Sequence, residues 1–259
     1  MIGLSKEGWL IKYPKGKDEY LRKSAKKTII IGLVGNGNKG KSFILGKLTG
    51  YNIPQGFTIK TEGLSIRYSE KEDHCIAILD SAGQETPLLT FKYSEKSNAS
   101  ENELLKKSLK DEKILEKDES PIFERCLRDK LITETFIQQF NIETSHILLL
   151  VVGSITLNEQ KILERVKKSM TSDKYLYVIH NLQNLQSKEQ VEGYIENTLK
   201  KLLGIKIEEK NFQSVYPNLH QKYYVEAENN KITHLIFVND YSSIAPYIIY
   251  QLLNSLKKN

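Results

Sequence analysis

The sequence predicts an α/β fold, a three-layer sandwich with a mostly parallel sheet and one antiparallel edge strand from a hairpin. Three observations point there. A nearly continuous apolar run, Thr28–Val34, passes through a Gly-rich turn straight into an amphipathic helical pattern; a strand covered on both faces reads this way. Two more apolar runs, Ile147–Val152 and Tyr175–Ile179, are separated by helix-periodic sequence, and strands alternating with helices favour a parallel sheet. Leu64–Tyr68 and Cys75–Leu79 flank the charged Ser69–Asp73, a hairpin signal.

Taken in order, residues 1–27 read as a polar N-terminal lead-in, with Trp9 and Tyr20 packing on the domain edge. Residues 28–259 form one domain, with a charged helical insertion at about 92–119; that segment mixes both charge signs too densely for a core. The first helix is predicted over Lys41–Leu48, with Phe43, Ile44 and Leu48 on its apolar face. From Pro121, the residues Phe123, Cys126, Leu127, Leu131, Ile132, Phe136, Ile137 and Phe140 recur at helical spacing, which predicts a core helix. Thr156–Met170 is a helix with Leu157, Ile162, Val166 and the stem of Lys167 on one side. Ser187–Leu203 is another, opened by a capping box from Ser187 to Gln190. Residues 204–224 read as irregular. Strands at Tyr224–Ala227 and Ile232–Val238 and a closing helix over Ser242–Leu256 complete the domain.

Composition narrows the function classes. Two cysteines, Cys75 and Cys126, have no metal-ligand spacing, so the chain reads as reduced and cytoplasmic. No apolar run approaches the roughly 18–20 residues of a membrane span. The net charge is +6, and residues 12–27 are rich in lysine and arginine. That stretch reads as a solvated basic face, compatible with weak peripheral contact to an acidic membrane surface. No nucleic acid is expected.

Chemistry concentrates at Gly35-Asn36-Gly37-Asn38-Lys39-Gly40-Lys41-Ser42, which fits G-x-x-x-x-G-K-[ST] between a strand and a helix. Glycines let backbone N–H groups turn inward around phosphate oxygens, and the helix start points its positive end at them. Lys41 adds a point charge and the Ser42 hydroxyl can hold Mg²⁺. The cradle extends over Gly35–Phe43. This is the phosphate-binding element of P-loop NTPases, so the sandwich is expected to be of that type. About forty residues on, Asp80-Ser81-Ala82-Gly83-Gln84 ends a strand. Asp80 can hold Mg²⁺ through water, the Gly83 amide can sense a γ-phosphate, and Gln84 can orient the attacking water. Thr61, two residues before Gly63, can complete the Mg²⁺ shell; Thr58 is a nearby competitor. Asn181 ends the strand Tyr175–Ile179 extends into, where a base-reading amide belongs. The carboxylate that would accept from guanine three residues later is replaced by Asn184, and position 182 is Leu. Asp240, after the last strand, is a candidate replacement.

The succession GNGNKGKS, TEG, DSAGQE and HNLQN resembles the first four nucleotide-binding boxes of regulatory GTPases of the TRAFAC class. DSAGQE is similar to the box of Ras-like small GTPases. GNKGKSFILGKLTG with T-x-G before the next strand looks more like dynamin-superfamily large GTPases, especially guanylate-binding proteins and atlastins. VIHNL with ETPLL also resembles protist GTPase-like proteins. The resemblance covers roughly residues 28–240 and implies a switch in which Thr61 and the segment after Gly83 order on GTP. Guanylate-binding proteins and atlastins carry a catalytic Arg inside the loop; the matching residue here is Asn38, so slow turnover is implied unless Lys39 or a partner supplies a charge.

These readings converge on a switch that binds and slowly hydrolyses GTP to GDP with Mg²⁺. Lys41, Thr61 and Gln84 are its catalytic candidates, and a nucleotide-dependent homodimer or an effector protein its partner. Two alternatives stay open: a dimerisation scaffold that binds nucleotide without turnover, and an ATP-using P-loop enzyme, which Asn184 motivates.

Overall fold

A computed structural model describes residues 2–5, 8–11, 18, 28–49, 63–71, 74–81, 83, 120–182, 184–185, 187–211 and 222–237. Thr58, Thr61, Gln84, Asp240, the insertion at 92–119 and the closing helix lie outside them. The chain divides into two compact units, residues 1–86 with 134–259, and residues 87–133.

Among the described residues the first unit is built on a ten-stranded sheet. Its strands are β1 (Ile2–Ser5), β2 (Gly8–Ile11), β3 (Thr28–Val34), β4 (Leu64–Lys71), β5 (His74–Ser81), β6 (Ile147–Val152), β7 (Tyr175–Asn181), β8 (Ile207–Asn211), β9 (Lys222–Glu226) and β10 (Ile232–Phe237). They lie in the order β2-β1-β4-β5-β3-β6-β7-β10-β9-β8. The five central strands, β5 to β10 in that order, are parallel. The α/β sandwich expected from the sequence is therefore present, and β4 is the antiparallel hairpin strand, pairing β5 from Leu64↔Ser81 to Lys71↔His74.

The antiparallel margins are wider than the sequence suggested. Within the stretch read as a polar lead-in, β1 and β2 form a hairpin that joins β4 through Ile2↔Leu64. On the other side β8 occupies part of the segment read as irregular and pairs with β9. Both additions are short, and β8 (IEEKN) has too few apolar residues to announce itself.

Among the described residues the helices are α1 (Lys41–Thr49), α2 (Ser120–Thr144), α3 (Leu157–Lys168) and α4 (Lys188–Tyr194), the last continuing as a π-helical stretch over Ile195–Leu202. The run in β6 shows why its strand has no polar face. Ile147, Leu149 and Val151 pack with Ile44 and Leu45 of α1, whereas Leu148, Leu150 and Val152 pack with Ile142 of α2 and Ile162, Leu163 and Val166 of α3. Successive side chains point to opposite faces of a strand, so both faces must be apolar when helices cover both. Burying each such side chain contributes about 1.5–3 kcal/mol.

Two helix faces differ from expectation. Leu157 is exposed; α3 instead turns Glu159, Ile162, Leu163 and Val166 inward. In α2, Ile137 and Ile142 are buried, but Leu127, Leu131, Ile132 and Phe136 are exposed. Helical spacing makes one apolar stripe, and only its C-terminal part is core. The described part of the second unit, residues 120–133, carries the exposed Leu127, Leu131 and Ile132.

Candidate functional site

The site lies at the carboxyl ends of the parallel strands, where open α/β sheets place their ligands. β3 feeds the loop Gly35–Gly40, β5 ends at Asp80 and Ser81, and β7 ends at Asn181.

The loop folds around Lys41. The first α1 hydrogen bond runs from Ile44 N–H to the Gly40 carbonyl at 3.0 Å. Lys41 Nζ, buried, donates back to the Asn36 carbonyl at 2.6 Å. Burial pushes the Lys41 ammonium down to about 8, against the opposing charges of Asp80 and Glu134 and with that of Lys39. Asp80 is itself buried at the end of β5. Gly83, at φ +86°, presses on the same lysine: a Cβ there would lie 2.4 Å from Lys41 Nζ and 2.9 Å from the Gly35 carbonyl oxygen. Lys41, Asp80 and Gly83 thus come together as the sequence motifs require. Ser42 lies on the first turn of α1, half-buried. Phe43 packs its ring on the α1-side core, leaving only its backbone for the cradle.

The tip of the loop is Gly37 and Asn38, the latter in the left-handed region at φ 58°, which Asn tolerates better than most residues. Asn181 reaches the loop from β7, its side-chain amide donating to the Lys39 carbonyl at 3.0 Å. A Cβ on Gly40 would meet the Asn181 Nδ2 at 2.5 Å, so glycine is required for this approach. Beyond Asn181, Leu182 is buried and Asn184 is exposed. Leu182 N–H donates to the Phe237 carbonyl at 2.8 Å, tying this loop to the end of β10.

Sequence reasoning missed Glu159. It occupies the third position of α3 and is buried. One carboxylate oxygen accepts from the Asn36 side-chain amide at 3.2 Å and pairs with Lys39 Nζ at 3.0 Å. The other accepts from the Thr156 N–H at 3.1 Å and from the Thr156 hydroxyl. Burial pushes this carboxyl up, but the hydrogen bonds from Thr156 and Lys39 and the Lys39 charge outweigh it and hold it below its usual range. Thr-x-x-Glu is a legible helix-start signature; its contact with the loop is not.

A second missed feature is a buried chain under Asn181. Tyr194 Oη lies 3.0 Å from His180 Nδ1, His180 Nε2 3.0 Å from His234 Nδ1, and His234 Nε2 2.9 Å from Glu226 Oε1. Lys167 Nζ closes the chain on Glu226 at 2.9 Å. Both histidines are fully buried.

Among the described residues no group of three or more His, Cys, Asp or Glu side chains could hold a metal ion by itself. The donor set at the loop is instead the Ser42 hydroxyl and the Asp80 carboxylate. A hydroxyl and a carboxylate are hard oxygen donors of the kind Mg²⁺ takes while keeping most of its shell as water.

No protein-family profile matches the chain. A heat shock protein of Dictyostelium discoideum is 26% identical over 221 residues, covering 76% of this chain and 29% of that protein. The chain therefore spans less than a third of this relative's length. Similar solved structures include Era with MgGDPNP and a segment of 16S ribosomal RNA, at 12% identity over 89% of this chain and 57% of that one, TM-score 0.49. An Era variant of Aquifex aeolicus bound to GDP.AlF4- follows at 13% identity, 88% and 57% coverage, TM-score 0.46. The small GTPase Arl6 of Trypanosoma brucei, with GppNp, is 8% identical over 90% of this chain and all of that one, TM-score 0.44. The chain spans little more than half of each Era chain.

Proposed function

We propose that the chain is a guanine-nucleotide-binding switch that hydrolyses GTP slowly. The observation that carries this reading is the convergence of Lys41, Asp80 and Gly83, with Gly83 pressed against the lysine that a γ-phosphate would engage. The loop N–H groups and Lys41 bind the β- and γ-phosphates. Gly83, whose φ admits close backbone approach, registers the terminal phosphate. Ser42, Asp80 and Thr61 would hold Mg²⁺, which would neutralise phosphate charge when bound. Gln84 orients the attacking water. Asn181 reads the base, with Asp240 as the carboxylate that Asn184 does not provide.

Two observations support the slow-turnover reading. Asn38 is neutral, and the Lys39 ammonium is engaged by Glu159, so neither serves as an in-loop arginine finger. Such a finger is worth about 10³–10⁵ in rate. The same observations support the second reading, a scaffold that binds without turnover and acts through a nucleotide-dependent homodimer or an effector.

The test is competition of GTP and ATP, with Mg²⁺, for a fluorescent guanine nucleotide, using Lys41→Ala as control. Tighter ATP binding would replace guanine by adenine, and undiminished binding by Lys41→Ala would place the site elsewhere. Single-turnover hydrolysis, compared with Gln84→Ala, separates switch from scaffold: a negligible rate in both removes the hydrolase.

A further inference from the structure

Glu159 occupies a position that neither the phosphate-loop motif nor the base site accounts for. Its single carboxylate accepts four donors, from Thr156 N–H, the Thr156 hydroxyl, the Asn36 amide and the Lys39 ammonium. Two of these lie on the same helix start; the other two bracket Gly37 and Asn38, the tip of the loop. Asn36 is held twice, its carbonyl by Lys41 and its side chain by Glu159. Lys39 is held twice as well, its carbonyl by Asn181 and its ammonium by Glu159.

We infer that Glu159 is a positioning residue for nucleotide: it pins both ends of the loop tip to the start of α3 and so presets the tip N–H groups for phosphate. The inference rests on the nucleotide-binding reading of this loop. The physical argument is one of preorganisation. A Gly-rich tip is costly to order, and a site ordered beforehand loses less entropy on binding. Charge-assisted hydrogen bonds are the stronger kind, and a buried carboxylate with every lone pair engaged has little freedom to let go. The pair also fixes what Lys39 does. Its charge neutralises Glu159, which would otherwise set an uncompensated anion behind the phosphates.

The experiment compares the wild-type chain with Glu159→Gln, Lys39→Met, the double variant and Thr156→Ala. Release of a fluorescent guanine nucleotide with Mg²⁺, amide exchange over residues 36–40 and melting temperature are read for each. Glu159→Gln keeps the shape and removes the charge; release is expected to quicken about ten-fold, the loss of one charge-assisted contact, with faster exchange at 36–40. The double variant is expected to release no faster than Glu159→Gln alone, because both changes cut one link. Thr156→Ala removes one donor at the helix end and leaves both loop contacts of Glu159 in place, so it is expected to lower the melting temperature while speeding release less than Glu159→Gln does. Multiplicative effects of Glu159→Gln and Lys39→Met, or a lower melting temperature with unchanged release, would overturn the inference and leave Glu159 as a cap of α3. If the wild-type chain binds no nucleotide, the switch reading fails instead. Amide exchange then decides the pinning on its own, and unchanged protection in Glu159→Gln overturns it.

Discussion

The side-chain amide of Asn181 donates to the Lys39 carbonyl at 3.0 Å, so the residue proposed to read the base also holds the loop proposed to bind phosphate. One substitution should therefore be felt at both ends of a nucleotide. Asn181→Ala is expected to weaken binding by about 10–100-fold while costing only about 0.5–1.5 kcal/mol of apo stability, the net worth of one hydrogen bond. Titration with a fluorescent nucleotide and denaturant unfolding of the same variant check the two numbers.

Gly83 and Lys41 make the second testable contact. Gly83→Ala must place a Cβ at φ +86°, 2.4 Å from Lys41 Nζ and 3.0 Å from the Asn36 carbonyl carbon. The lysine tip can swing aside but the loop backbone cannot. Nucleotide affinity is expected to fall by at least about ten-fold, in line with strain of about 1–3 kcal/mol at such a position. Equilibrium binding with Mg²⁺ reads it, and unaltered affinity would mean that Gly83 does not face the phosphate.

Lys41 couples the site to pH. Its ammonium is lowered to about 8 in the folded chain, first by burial, from an ordinary value of 10.5. The unfolded chain thus binds more protons between pH 8 and pH 10.5, and stability of the nucleotide-free protein rises across that window. The full span corresponds to about 3 kcal/mol. Below pH 8 both states are protonated and the cost of the buried charge is present in full; a bound phosphate offsets it. Denaturant unfolding from pH 7.5 to 10.5 should show the rise without nucleotide, a flatter profile with saturating nucleotide, and no such rise in Lys41→Ala.

The placement of much of the candidate site was legible because the proposed chemistry depends on local sequence. Gly35–Ser42 needs glycines, a lysine and a hydroxyl in fixed order, and the strand before it must be apolar on both faces; β3 obeys both demands. The six apolar residues of β6 likewise announce a strand covered on both sides. What sequence did not disclose are contacts between distant segments. Glu159 reads as a helix cap, and nothing near it in sequence says that its carboxylate also reaches Asn36 and Lys39, which lie 123 residues away in the case of Asn36. The stripe on α2 is periodic whether or not it is covered, so Leu131 and Ile132 look like core and are exposed. β1 and β2 are four residues each, too short for alternation to stand out from a polar terminus.

The buried chain beneath Asn181 is expected to make the fold acid-sensitive. Hydrogen bonds from His234 and Lys167 hold the Glu226 carboxyl below its usual range despite burial, so it is an acceptor. His234 then donates to it from Nε2, while His234 Nδ1 faces His180 Nε2 and His180 Nδ1 faces the Tyr194 hydroxyl. Burial pushes the Tyr194 phenol up, which keeps it a donor. Burial, and then the neighbouring His234, hold His180 well below its ordinary range. Because the folded value is depressed, the unfolded chain takes up a proton near pH 6.5 that the folded chain refuses. Stability is lost as pH falls below 6.5, at up to about 1.4 kcal/mol per pH unit for this one site. Chemical unfolding at pH 7.5, 6.5 and 5.5 reads the slope. His180→Gln, which can accept from Tyr194 and still donate to His234, is expected to flatten it; an equal slope in that variant would assign the acid sensitivity to other groups.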